Sequence, residues 1–315
     1  MFKEKFFVTI GRLSPMLPAI RGRTRIFLIL FNALGLRKHH VVVDTWLHRP
    51  TKYHAILDLH SWLERIAFLT GGYEDDLVRF LLALSKSMGR PGYLLDVGAN
   101  IGLISVPFAL LRKSEADARG AGLPLVVSFE AVSANFAALQ RHARLNHLEH
   151  DMLLVHQALG DINATVEIQV EGDLREGEGT GTANILPQGS THPCVRIPLE
   201  IKTLDELGER GLFPAGCTVM KIDTDGYDLK VLLGAQTLLR RDRPVIFGEF
   251  SAHCMNWHGQ SIADVRSYAA SLDYSVYRRV GRTWRFAREV QGLFEIDLLL
   301  VPNEKKAALN WCLTD

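Results

Sequence analysis

The chain has 315 residues, 47% of them apolar, and a net charge of +1. That length holds one domain of about 200–250 residues with an appendage, and the near-neutral charge argues against a general polyanion binder. Cys194, Cys217, Cys254 and Cys312 form no C-x-x-C pair, so neither a disulfide framework nor a thiolate metal site is expected, and a reducing cytosol is the default setting.

Charge is unevenly placed. Residues 1–40 carry eight Lys and Arg against Glu4, a surplus of seven, which leaves −6 on the rest of the chain. A basic arm precedes a mildly acidic body. The longest apolar run in the arm, IFLILFNALGL at 26–36, has 11 residues and contains Asn32. It falls short of the roughly 20 apolar residues of a membrane span. It starts late, follows three arginines and lacks a good small-residue cleavage site, which argues against a signal peptide. Two readings stay open: a terminal helix packed on the domain, or a short amphipathic arm on a membrane surface.

Residues 1–90 read as a mostly helical extension. HAILDLHSWLERIAFLT at 54–70 puts Ile56, Leu57, Leu59, Trp62, Leu63 and Ile66 at helix-like spacings. TGGYEDD at 70–76 breaks the pattern, and a second helix at 75–89 stops at Gly89, with Pro91 beyond. From 91 to 302 apolar runs at 93–97, 125–130, 152–156, 217–223 and 244–250 alternate with helix-like segments at 102–112, 133–146 and 226–240. Apolar strands separated by helices predict an α/β fold with a doubly wound, mostly parallel sheet. A helix at 261–272 precedes runs at 273–280 and 294–301, an expected antiparallel hairpin at one edge. Residues 161–202 predict a β-hairpin insertion, ATVEIQV and VRIPLEI around a turn-rich middle, before a capping-box pattern, TLDE, at 203–206. Residues 303–315 read as a tail.

DVGANIG, at 96–102, sits where the first of these strands gives way to a helix. Ligands of open parallel sheets bind outside the carboxyl ends of the strands. Gly98 and Gly102 let the backbone approach a ligand, and a helix start offers N–H groups to a carboxylate or phosphate. A dinucleotide fingerprint needs glycine at 98, 100 and 103, but Asn100 and Leu103 stand at the last two. The G-x-N-x-G loop suits S-adenosylmethionine better, its carboxylate meeting the amides and its ammonium an acid such as Asp96. Glu130, closing the next strand, can accept both ribose hydroxyls. Gln157, Ala158 and Asp161, in HQALGD after the third strand, are placed for adenine.

KIDTDGYD brings Asp223, Asp225 and Asp228 to the same end of the sheet, with Glu249 closing the fifth strand and His253 and His258 behind it. Bland roles stay open: Asp223 or Asp225 as a helix cap, Asp228 as a solvent-facing charge. The chemical reading starts from the alcohol, a poor nucleophile until its proton leaves. Asp223 then orients or deprotonates an acceptor hydroxyl, helped by Glu249 or His253. No resident metal is expected, although Asp223, Asp225 and Glu249 form an oxygen set of the kind hard cations use.

The chain resembles the FkbM-type family of S-adenosylmethionine-dependent methyltransferases in GGYEDD, LLDVGANIGLISVPFA, FEAVSANFAALQRHARLN, HQALGD, TLDEL, MKIDTDGYDLKVLLGA and PVIFGEF. The resemblance runs from about 60 to 302, and AVSAN at 131–135 stands where such proteins often read Pro-x-Pro. It implies a Rossmann-like class I sheet of seven strands and O-methylation of a hydroxyl on a sugar, glycan or secondary metabolite. Tyr73 and Glu74 would close over the methionine end, or Glu74 would simply favour a helix N-terminus. The 171–193 segment reads either as a substrate lid or as a plain hairpin tip.

The expected partner is a small-molecule, glycan or glycolipid acceptor rather than nucleic acid, since the acidic body has no basic stripe. The expected location is cytoplasmic, with peripheral contact at the inner membrane face through residues 1–40 an open reading. A nicotinamide-dependent oxidoreductase would need the missing fingerprint. A non-catalytic nucleoside binder would predict decay of the pocket, yet Asp96, Gly98, Gly102 and Glu130 all stand.

Overall fold

The computed structural model describes residues 2–17, 22–36, 39–115, 122–170, 183–184, 195–288 and 295–314. Its first elements are helices α1 (Phe2–Gly11) and α2 (Arg23–Ala33), strands β1 (Val42–Leu47) and β2 (Tyr53–Asp58), and helices α3 (Trp62–Thr70) and α4 (Asp75–Ser87). Strands β1 and β2 pair antiparallel, Leu47 opposite Tyr53. The helix expected from residue 54 is therefore a strand up to Asp58. Tyr53, Ala55, Leu57 and Leu59 are buried in alternation, and this period of two governs where a few i, i+3 matches had suggested a helix. Helix α3 begins only after Ser61, whose hydroxyl caps the Glu64 N–H.

The alternating part follows as β3 (Tyr93–Val97), α5 (Ser105–Lys113), β4 (Val126–Glu130), α6 (Ser133–Leu145) and β5 (Met152–His156). The insertion holds β6 (Ala158–Leu159), β7 (Ala164–Val170), β8 (Ala183–Asn184) and β9 (Val195–Lys202). Strands β7 and β9 form the antiparallel pair, and most of the 171–193 segment lies outside the described residues. Then come α7 (Leu204–Glu209), β10 (Cys217–Ile222), α8 (Asp228–Leu233), α9 (Gln236–Asp242), β11 (Val245–Ser251), α10 (Ala252–Trp257) and α11 (Ile262–Ser271). The single helix expected at 226–240 is split at Gly234, where a Cβ would stand 2.0 Å from the Gly160 carbonyl oxygen.

The last strands are β12 (Tyr274–Val280), β13 (Thr283–Phe286), β14 (Glu295–Pro302) and β15 (Leu313–Thr314). The main sheet runs β15-β13-β12-β14-β11-β10-β3-β4-β5. Seven of these strands, β5 to β12 in that row, form the expected doubly wound sheet, with β14 the antiparallel member. The expected antiparallel pair forms, β12 against β14, but not at the edge: β12 also turns into β13, which lies outside it, and β14 lies between β12 and β11. The tail adds β15 to the edge instead of hanging free, and the Trp284 N–H donates to the Cys312 carbonyl at 2.9 Å.

Successive residues of a strand face opposite layers. Leu94 packs with Val106, Phe108 and Leu139 on one face, and Leu95 with Leu229, Leu232 and Leu239 on the other. Phe7, Phe31, Val43 and Leu57 belong to the first of these clusters, so the core is continuous across residue 90.

Candidate functional site

The order of winding reverses between β3 and β10, and the carboxyl ends of both strands open on a cleft of about 470 Å³. That volume is in the range of cofactor sites. Val97 to Ile101, Glu130, Asn135, Gln157, Ala158, Asp223, Asp225, Glu249 and, from the start of α4, Tyr73 and Glu74 all line it.

The glycines of the loop first serve the protein itself. A Cβ on Gly98 would stand 1.9 Å from the Asp223 carbonyl oxygen, and one on Gly102 would stand 2.6 Å from Leu139 Cδ1. Both have positive φ, +78° and +88°. The loop amides are committed as well. Gly98 and Ala99 N–H donate to the Phe129 carbonyl, Asn100 to Glu130 Oε2 at 2.8 Å, Ile101 to Asn100 Oδ1, and Gly102 to the Ala99 carbonyl. The expectation that these amides wait for a carboxylate is thus corrected for residues 98–102. His142, from α6, pins the same loop. Its Nδ1 lies 2.7 Å from the Ile101 carbonyl, and its Nε2 lies 3.0 Å from the Ile56 nitrogen and 3.1 Å from the Ile56 carbonyl; burial lowers its pKa.

Glu130 is 6% exposed and accepts from Asn100 N–H on one oxygen and from Val132 N–H on the other, each at 2.8 Å. The Asn135 side chain, next to it in the cleft lining, also hydrogen-bonds the carboxylate, and a carboxylate with three donors still has capacity for one more. Burial pushes its pKa up, against the pull of those two amides. Asn135 is 5% exposed and lines the cleft, and its Oδ1 has no hydrogen-bond partner among the described residues. Two buried polar groups with spare hydrogen-bonding capacity, side by side on one wall, fit a ligand bearing vicinal hydroxyls.

Asp96 does not reach the cleft wall. It is fully buried beneath the loop, where one oxygen accepts from the Ser105 hydroxyl and the other faces the Lys221 ammonium at 3.4 Å. A direct ionic contact of Asp96 with a ligand, as expected from the sequence, gives way to a supporting position. Lys221 is the residue sequence reasoning passed over. Its ammonium donates to the Gly98 carbonyl at 3.1 Å and lies 3.2 Å from Asp223 Oδ2. Burial works against its charge, but Asp223 and Asp96 outweigh burial and raise its pKa.

Opposite Lys221 stand more carboxylates than it can neutralise. Partial burial, then Asp223 and Glu74, push Glu249 up to about 7 although its side chain keeps a solvent-exposed edge, and burial with Asp223 and Asp228 pushes Asp225 up to about 7. Glu74 is raised by burial too, partly relieved by Lys221. This wall attracts cations.

Four expected residues lie elsewhere. Asp228 is fully buried rather than solvent-facing: it accepts from Thr224 N–H, the Thr224 hydroxyl and Gly226 N–H, and so shapes the 223–226 turn. Asp161 pairs with Lys230 at 3.3 Å, outside the cleft lining. His253 is exposed on α10, its ring edge-on to Trp257. Gly102 supports the loop from behind. Gln157 lines the cleft but spends its side-chain amide on the Glu200 and Ala158 carbonyls. Among the described residues no group of three or more His, Cys, Asp or Glu is arranged to hold a metal ion.

Residues 96–276, more than half of the chain, match the family model of the methyltransferase FkbM domain. A methyltransferase FkbM structure from Methylobacillus flagellatus is 17% identical with a TM-score of 0.41; the alignment covers 75% of this chain and 52% of that one, so the chain spans about half its length. The magnesium protoporphyrin IX methyltransferase of Synechocystis with bound SAM is 12% identical, with 73% and 77% covered and a TM-score of 0.38. TYW2 of M. jannaschii in complex with AdoMet is 14% identical, with 82% and 84% covered and a TM-score of 0.40. No curated protein matches the sequence.

Proposed function

The chain belongs to the FkbM methyltransferase family, whose methyl donor is S-adenosylmethionine, and from that premise we propose that it methylates a hydroxyl on a sugar, glycan or secondary metabolite. The observation that carries this reading is the acidic wall of the cleft: Glu74, Asp223, Asp225 and Glu249 against the single ammonium of Lys221. Such a wall favours a cationic donor and supplies bases for an alcohol.

When bound, S-adenosylmethionine supplies an electrophilic methyl group on a positively charged sulfur. Glu130 and Asn135 would hold the ribose hydroxyls, Gln157 and Ala158 would border the adenine, and the Gly98–Asn100 loop with Glu74 would face the methionine end. Asp223, fixed by Lys221, orients the acceptor hydroxyl. Glu249 would take the proton of that hydroxyl. A carboxylate with a pKa near 7 suits that step at neutral pH. His253 takes no part, because it stands away from the cleft lining. Holding the two reactants together in the right geometry contributes up to about 7–11 kcal/mol.

A screen with methyl-labelled cofactor against glycans, glycolipid extracts and small alcohols tests the reading, with mass spectrometry of the product. Label on an acceptor oxygen supports it. Label on nitrogen or carbon, or cofactor binding without transfer to any acceptor class, refutes it.

A further inference from the structure

We propose that α1, α2 and the single helical turn at Ser14–Met16 form an interfacial surface that seats the protein on an anionic lipid bilayer. Thirteen large apolar side chains are exposed among the described residues, and seven of them lie between residues 2 and 29, under a tenth of the chain. The most exposed are Phe2 at 84%, Met16 at 80%, Ile26 at 67% and Ile29 at 59%.

Both helices are apolar on two faces. The inward face is already used: Phe7 and Phe31 are fully buried and meet edge-on at 5.0 Å, and Gly11 backs onto the Phe68 ring, 2.5 Å from where a Cβ would stand. Core packing accounts for that face and leaves Phe2, Phe6, Ile26 and Ile29 in water. A clustered apolar surface of this kind marks a docking site.

Charge selects the occupant. Lys3, Lys5, Arg12 and Arg25 are exposed among these apolar residues, and Glu4 is the sole acid of the stretch. Exposed cations interspersed with exposed Phe and Ile are the complement of an anionic bilayer, not of a neutral apolar groove. No helix among the described residues is long and apolar enough to cross a membrane, so the contact lies in the interface plane. The surface is also coupled to the cleft. Pro15, in the turn, abuts Gly71, where an added Cβ would stand 2.8 Å away, and Gly71 leads through Gly72 to Tyr73 and Glu74 in the cleft wall.

Cosedimentation with vesicles of phosphatidylcholine alone, and of phosphatidylcholine mixed with phosphatidylglycerol, tests the proposal on the full chain. The protein is expected to pellet with the mixed vesicles and to be released by high salt. Ile26→Asp with Ile29→Asp should cut the bound fraction about tenfold, with cofactor affinity and circular dichroism unchanged. Lys3→Glu, Lys5→Glu and Arg25→Glu together should abolish the preference for the anionic vesicles. Should the aspartates perturb folding, Phe2→Ser with Met16→Ser provides a milder version of the same loss. Equal binding to both vesicles, or apolar variants that bind like the unmodified chain, overturns the proposal. So does a dimer in light scattering that these substitutions dissociate while vesicles bind nothing, which would assign the surface to a second copy.

Discussion

Lys221 holds Asp223 at 3.2 Å, and the same ammonium faces the fully buried Asp96 at 3.4 Å, so one cation ties the ends of β3 and β10 together beneath the cleft. Replacing Lys221 with Met leaves Asp96 as a buried charge with only the Ser105 hydroxyl. Removing one partner of such a pair typically costs about 3–5 kcal/mol. Urea unfolding of Lys221→Met should show a loss of that order, and adding Asp96→Asn should recover about half of it. A loss below about 1 kcal/mol would mean that the pair does not hold the strand ends.

Gly98 is specified by the protein rather than by a ligand. In Gly98→Ala the new Cβ meets the Asp223 carbonyl, a backbone atom that cannot swing away, at a φ of +78°. The loop must shift, at a cost of about 1–3 kcal/mol, and calorimetry should show cofactor affinity reduced at least about tenfold. Gly89→Ala is the control: its φ of +63° carries the same strain, but nothing lies within 4 Å. That variant should lose about 1–2 kcal/mol of stability and keep its cofactor affinity.

The sheet was legible because β3, β4 and β10 are buried on both faces, as is β11 up to Gly248, and so read as mostly apolar runs. The β1–β2 hairpin was not, because Ile56, Leu57 and Leu59 satisfy a helical spacing locally while the alternation runs through Tyr53 and Ala55 as well. Glu130 and Asp223 were found as acids at strand ends, where the chain leaves the sheet. Lys221 carried a signal that could have been used: a lysine inside TVMKI, a buried strand segment, requires a partner of opposite charge nearby. His142 and Asn135 carried none, since a polar residue on a helix reveals its burial only once the helix is docked.

The separate roles proposed for Asp223 and Glu249 predict separate losses. Glu249→Gln keeps the shape and removes the base, so kcat should fall about 10²–10⁴-fold with cofactor affinity within a few-fold. Asp223→Asn should also abolish most transfer, and since it weakens the hold of Lys221 it should raise the acceptor KM as well. Single-turnover kinetics with labelled cofactor distinguish the two patterns. Unchanged turnover in Glu249→Gln would remove the base from that position.

The acidic wall also fixes the sign of the pH dependence. Glu249 and Asp225, both pushed up to about 7, are largely protonated at pH 6 and largely ionised at pH 8. S-adenosylmethionine brings a sulfonium and an ammonium, so its affinity should rise about 3- to 10-fold between those pH values. S-adenosylhomocysteine lacks the sulfonium charge and should respond less. Stability of the free protein moves the other way. Carboxyls with raised pKa values bind more protons in the native state than in the unfolded one, so their contribution is present in acid and is lost as pH rises from about 4.5 to 7. Titration calorimetry and urea unfolding across pH 5 to 8 measure both slopes, and Glu249→Gln should flatten each of them. A cofactor affinity that is level over this range would show that the carboxylates of the wall do not face the sulfonium.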